Sequence, residues 1–276
     1  MNEKIGIIGY GNMGSAIAQG LKKDYRIFVF DKDRNKTDNI TGITVCDGIP
    51  ELVTNAEILI LAVKPQDFEY VLKEIRAQAK NKLVISIAAG ISTKHIEKIL
   101  GNVRVIRVMP NIGAKIGESV SCICKGSFAT ENDLSFANES FNYIGFTKDV
   151  PEEMMDAATA ISGSGPGYIF DFIDKNSLDS NNIPEHARHD IMKRLERAAE
   201  AVGFSHEDAA FLSANTANSC INMLKIIKLP ARDLKKQVVS KGGTTEAGLL
   251  VLEKGGTWEE AALAALNRAK ELSKGN

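Results

Sequence analysis

The stretch that most constrains this chain is Gly9-Tyr10-Gly11-Asn12-Met13-Gly14. Ahead of it, Ile5-Gly6-Ile7-Ile8 is apolar and β-branched enough for a buried strand. Behind it, residues 15–21 are small and aliphatic and suit a tightly packed helix. Strand, G-x-G-x-x-G and helix in that order give a weak pattern its meaning. Gly9 permits the tight turn, Gly11 lets backbone approach a pyrophosphate, and Gly14 lets helix and strand pack closely. The helix start adds free N–H groups and the positive end of a dipole. A glycine turn with no ligand is the alternative, and the downstream acid argues against it.

That acid is Asp31, which ends a second strand at residues 27–30. It lies where a carboxylate usually meets a ribose 2′-OH. Further apolar strands are expected at 43–45, 58–63, 83–87 and 103–108, with a helical turn at 50–54 and helices at 68–79 and 93–100 between them. Alternating units with strands buried on both faces imply a parallel, doubly wound α/β sheet of Rossmann type. After Pro110 the rhythm changes, to strands at 119–124 and 145–148 around a helix near 133–143. From Glu152 nearly everything reads as helix: 152–161, 167–174, 184–202, 206–225, 231–239, 246–253 and 257–273. Thr257 and Glu260 make a capping box at the last of these. Two domains follow, a dinucleotide-binding one over 1–150 and an all-helical one for substrate binding and dimerisation over 151–276.

A net charge of −1 gives no electrostatic case for nucleic acid or an anionic membrane surface. No apolar run is long enough to cross a bilayer. The first strand begins almost at once, leaving no room for a signal peptide. Cys46, Cys122, Cys124 and Cys220 form no close-set framework, and Cys122 and Cys124 should share one face of a strand. The expectation is a cytoplasmic protein.

Open α/β sheets bind ligands where their strands end. Three such loops are Ala62-Val63-Lys64-Pro65, Ala88-Ala89-Gly90, and the run from Arg107 to Asn111. The small residues at 88–90 would let a flat ring lie against backbone. In the helical half, Ile161 to Pro166 reads as a loop before a helix, able to hold an anion or cap that helix. Ser240-Lys241-Gly242-Gly243-Thr244-Thr245 is more pointed: its glycines expose successive N–H groups and its hydroxyls add donors, a nest suited to a carboxylate.

GYGNMG, AVKPQ, SIAAGI, RVMPN, ISGSGP and SKGGTTEAG occur here in an order and spacing that resembles the Δ1-pyrroline-5-carboxylate reductase family, over nearly the whole chain. The resemblance implies an oxidoreductase of proline biosynthesis, with a Rossmann domain and a helical domain that dimerises by interlocking helices. Its substrate would be a cyclic imine carboxylate, reduced by hydride from NADH or NADPH. Gly9, Tyr10, Gly11, Asn12, Met13, Gly14, Asp31, Ala62, Val63, Lys64, Pro65, Ala88, Ala89, Gly90 and Asn111 would serve the cofactor. Ser240, Gly242, Gly243, Thr244 and Thr245 would hold the substrate, with Thr245 at the ring nitrogen, donating to an imine or accepting from an iminium. Asp31 favours NADH, while Lys32 and Arg34 could pair with a 2′-phosphate.

Three departures from the family's pattern stand out. Lys241 replaces the usual proline, no acidic or polar residue precedes Pro230 in the expected place, and an extra segment begins at Lys175. That segment carries His186, His189 and Asp190, but shows no further ligand, so it reads as solvated helix and no metal is expected. The rival readings are another Rossmann imine or β-hydroxy-acid reductase, and a dinucleotide-binding regulator without catalysis. Ala209, Ala210, Leu212, Ala214 and Ala217 offer small faces for helix packing in a homodimer or larger homo-oligomer.

Overall fold

The computed structural model describes residues 3–274; the expected domains' terminal residues 1, 2, 275 and 276 lie outside the described residues. Eight strands form one sheet: β1 Lys4–Ile8, β2 Arg26–Phe30, β3 Thr44–Val45, β4 Ile58–Leu61, β5 Leu83–Ser86, β6 Arg104–Met109, β7 Ser119–Lys125 and β8 Gly145–Asp149. Their order is β3-β2-β1-β4-β5-β6-β7-β8, and every pairing from β3 across to β6 is parallel. The order reverses between β1 and β4, the switch point at which Rossmann sheets open a ligand crevice. Between the strands run α1 Asn12–Leu21, α2 Ile49–Asn55, α3 Pro65–Ile75, α4 Thr93–Leu100 and α5 Glu131–Asn142. The strands β4 and β5 are buried at every position, as expected of a sheet covered on both faces. Leu52, Phe68, Leu72 and Ile96 pack from the helices onto one sheet face, each burial contributing roughly 1.5–3 kcal/mol.

The helical half comprises α6 Met155–Ala158, α7 Gly165–Lys175, α8 Glu185–Ala201, α9 His206–Ile227, α10 Ala231–Val238, α11 Thr244–Glu253 and α12 Trp258–Lys274. The capping box at α12 forms in both directions: Thr257 N–H donates to Glu260 and Glu260 N–H to Thr257. The chain divides into two compact units, one running to Val108 and including Ile123–Glu152, the other holding Met109–Cys122 and the chain from Glu153. Cys46, Cys122, Cys124 and Cys220 are free and buried. Among the described residues no helix is long and apolar enough to cross a membrane.

Three local expectations need correction. Residues 161–166 are not a loop: Thr159–Gly163 forms a π-helical turn that runs straight into α7, with Ser164 N–H donating to the Thr159 carbonyl. The helix α8 is not simply solvated, since Ala187, Ile191, Leu195, Ala198 and Ala199 are buried. It packs on α9 and α12. On α9, Ala209, Leu212 and Ala217 are fully buried within the protomer, so their small faces serve its own core.

Candidate active site

The first unit carries a cleft of about 240 Å³ over the glycine turn, lined by Gly9, Gly11, Asp31, Lys36, Ala62 and Lys64, with Tyr70 among its further residues. Each glycine has its own reason. Gly9 sits at φ +100, a region that L side chains rarely adopt. A Cβ on Gly14 would stand 2.0 Å from the Gly9 carbonyl oxygen, which explains how α1 approaches β1 so closely. A Cβ on Gly11 would meet nothing within 4 Å, so the bare backbone there faces open space rather than protein. Gly11 also caps α1 without any side-chain bond, leaving first-turn N–H groups for an anion. A pyrophosphate fits this cradle.

Asp31 has a second task that the sequence did not announce. One carboxylate oxygen accepts the Tyr10 N–H at 2.7 Å, tying β2 to the glycine turn. The other accepts the Asp33 N–H at 2.9 Å and faces Lys36 Nζ at 3.2 Å. Burial pushes its pKa up, but the two N–H donors and the lysine outweigh that and hold it below the usual carboxylate range. Lys36, at the cleft, is a neighbour that sequence reasoning missed. Lys32 is paired with Asp67 and Arg34 with Asp47. Lys64 caps α3 with an exposed side chain and Pro65 opens that helix. Ala88 is buried, Ala89 partly so, and Gly90 turns at φ +74. Asn111 belongs to the second unit, where its side-chain Oδ1 accepts from the Gly113 and Val120 N–H groups, and its Nδ2 is buried with no hydrogen-bond partner.

In the second unit the other glycine loop opens α11. Gly242 takes φ +70, and its carbonyl accepts from Arg268 Nε at 2.8 Å. Its N–H donates to Glu246, and the Gly243 N–H donates to the Ser240 carbonyl, so two of the expected nest donors are engaged within the loop. The helix has no side-chain cap, which leaves the first-turn N–H groups of Thr244 and Thr245 facing forward. Ser240 and Lys241 are exposed and Thr245 is buried. The loop meets a residue that sequence reasoning passed over: Ser164 Oγ lies 3.0 Å from Thr244 Oγ1 and accepts from Thr245 Oγ1 at 3.3 Å. The ISGSGP motif was the available signal, hidden by its reading as a loop. Arg268 gave no signal at all, being far along the chain in an ordinary helix. His186 and His189 are exposed and Asp190 pairs with Arg194, so the three do not converge. The grouping of Glu196, Glu200 and His206 already has Lys193 on Glu196.

A Rossmann sheet with an open glycine cradle, followed by helices bearing a hydroxyl-lined turn, defines a two-part oxidoreductase of the dinucleotide-dependent kind. Residues 4–90 match the family model described as NADP oxidoreductase, coenzyme F420-dependent. Residues 189–272 match that for pyrroline-5-carboxylate reductase dimerisation. The pyrroline-5-carboxylate reductase of Methanosarcina acetivorans is 36% identical over 99% of both chains. Among solved structures, a Coxiella burnetii pyrroline-5-carboxylate reductase is 31% identical with a TM-score of 0.64, covering 98% of each chain. A Plasmodium falciparum pyrroline carboxylate reductase with NADP bound is 29% identical, also at 0.64 and 98% of each. The chain belongs to the pyrroline-5-carboxylate reductase family.

Proposed function

We propose that this protein reduces Δ1-pyrroline-5-carboxylate to proline at the expense of NADH or NADPH, the first unit holding the dinucleotide and the second the imine. The observation that carries this reading is the meeting of Ser164, Thr244 and Thr245 at an uncapped helix start. When bound, the reduced nicotinamide supplies hydride to the C=N carbon. The rest is positioning by this chain. Gly9, Tyr10, Gly11, Asn12, Met13 and Gly14 cradle the pyrophosphate, while Asp31 faces the ribose. Ala62, Val63, Lys64, Pro65, Ala88, Ala89 and Gly90 complete the dinucleotide's surroundings. Ser240, Gly242 and Gly243 shape the loop, the amides of Thr244 and Thr245 take the carboxylate, and the Thr245 hydroxyl meets the ring nitrogen. A β-hydroxy-acid reductase would want a lysine on a helix of the second unit at the substrate loop. Lys241, in that loop, lies in the turn and not on a helix, and Lys235 on α10 is tied to the buried Asp171. Following NADH and NADPH oxidation with pyrroline-5-carboxylate tests the reading; no oxidation with either coenzyme would end it.

Asp31→Ser should raise the ratio of NADPH to NADH efficiency by about tenfold, because a carboxylate repels a 2′-phosphate. It should also weaken both coenzymes, since the Tyr10 N–H loses its acceptor. Steady-state kinetics with each coenzyme checks this, and an unmoved ratio removes Asp31 from coenzyme choice.

The functional unit is proposed to be a homodimer or a larger homo-oligomer. With Ala209, Leu212 and Ala217 committed inside the protomer, the surface rests instead on Ile226, Leu229, Leu250 and Leu263, which stay exposed. All four lie within the stretch that matches the dimerisation model. Sedimentation should give twice the chain mass or more at micromolar concentration, and an active monodisperse monomer would overturn the assignment.

A further inference from the structure

We propose that the first unit carries a second ligand site, a cationic cavity at the N-terminal ends of its strands that binds a triphosphate chain, either free or carried by a nucleoside. The glycine cradle lies at the opposite strand ends, so the site stands apart from the reductase reading above and its failure would leave that reading in place.

The cavity encloses about 680 Å³, enough for a ligand of nucleotide size. Its lining comes from the two segments that lead into β5 and β6. Lys73 stands in the last turn of α3, Arg76 closes that helix, and Lys80 follows in the turn before β5. Gly101 and Asn102, just past the end of α4, complete the lining together with the buried Leu100. A Cβ on Gly101 would meet nothing within 4 Å, so the backbone there borders open space, as it does at Gly11. No acid lines the cavity. Among the described residues neither Arg76 nor Lys80 has an acid partner, and Lys73 has only Glu69 at 3.8 Å. Elsewhere in the same unit Lys32, Lys36 and Arg104 each hold a carboxylate at 3.2 Å or closer.

Cations near helix ends have an ordinary explanation, and its size decides against it here. A helix C-terminus carries about half a negative charge, so α3 and α4 together present about one. The three cations leave an excess of about two positive charges once both helix ends are answered. Inside a concave wall such an excess focuses the field and draws in anions. The Arg76 guanidinium can hold one phosphate group through two N–H bonds, while Lys73 and Lys80 act as point charges on its neighbours. A triphosphate chain offers a charged group to each of the three, which a carboxylate or a single phosphate does not.

The test is calorimetric titration of the full chain with inorganic tripolyphosphate, with NADH in excess to occupy the glycine cradle. Wild type should bind one tripolyphosphate per chain, with an affinity that falls as salt is added. Arg76→Gln and Lys80→Gln should each raise the dissociation constant about tenfold. Lys94→Gln removes a charge at the other end of α4 and should leave the constant within about twofold, since a screened charge at that distance contributes little. All three changes replace exposed side chains, so the fold should stand in each. GTP is titrated beside the inorganic chain. Tighter binding of GTP assigns the site to a nucleoside triphosphate, and equal or weaker binding assigns it to the free chain; either supports the proposal. No binding of either compound overturns it, as do constants that stay unmoved in Arg76→Gln and Lys80→Gln. An equal loss in Lys94→Gln overturns it as well, by reducing the effect to general surface charge.

Discussion

Thr245→Ala should turn over about 30- to 1,000-fold more slowly than wild type, a loss of roughly 2–4 kcal/mol in the reacting complex. The side chain contributes one hydrogen bond, and its backbone N–H, which helps receive the carboxylate, survives the change. Substrate should therefore still bind, but without the contact that holds the ring in one pose. Coenzyme affinity should hardly move, since the proposed dinucleotide cradle belongs to the other unit. Thr245→Ser should keep most of the activity because the hydroxyl remains. Steady-state kinetics of both variants at saturating coenzyme, with a coenzyme titration beside them, decides the matter. Near wild-type turnover in Thr245→Ala would reduce the residue to a packing contact on Gly167.

The second large effect separates two glycines of one motif. Gly14→Ala places a methyl group 2.0 Å from the Gly9 carbonyl oxygen, and backbone cannot yield as a side-chain tip can. We expect a loss of about 3 kcal/mol or more and a melting temperature lower by roughly 6–12 °C. Gly11→Ala meets open space and loses only a better helix cap, so its melting temperature should fall by no more than about 4 °C. The same methyl group occupies the surface proposed for the pyrophosphate, and the coenzyme dissociation constant should rise tenfold or more, about 1.4 kcal/mol at the least. Thermal melts and coenzyme titrations of the two variants check both halves. A Gly11→Ala protein that binds coenzyme normally would move the dinucleotide elsewhere.

Much of this was legible in the residues because the physics is local. The buried strands read as unbroken apolar runs, as β4 and β5 show, and the helix cap at Thr257 and Glu260 depends on a three-residue spacing alone. The glycine turn and Asp31 were also visible, but not the bond from the Tyr10 N–H that makes Asp31 part of the turn. That contact needs β2 laid beside β1, which no window of sequence contains. Ala209, Leu212 and Ala217 of α9 misled for a different reason: a small-residue face looks the same whether it meets its own protomer or another. Ser164 was missed because a Gly- and Ser-rich stretch resembles a loop, and one wide turn over five residues leaves no periodicity to read. Arg268 reaches Gly242 from 26 positions away, beyond any local pattern.

The π turn at Thr159–Gly163 has a consequence for how this stretch can change over time. Such a turn is an α-helix with one residue too many, and each residue advances an α-helix by about 100°. Removing a single residue would let α6 and α7 join as one regular helix and swing everything beyond the cut to another side. Ser164 holds its station across from Thr244 and Thr245 by the count of residues before it as much as by its own chemistry. Side chains within the turn can drift while that count is kept, but a one-codon deletion would leave every motif recognisable and the serine facing the wrong way.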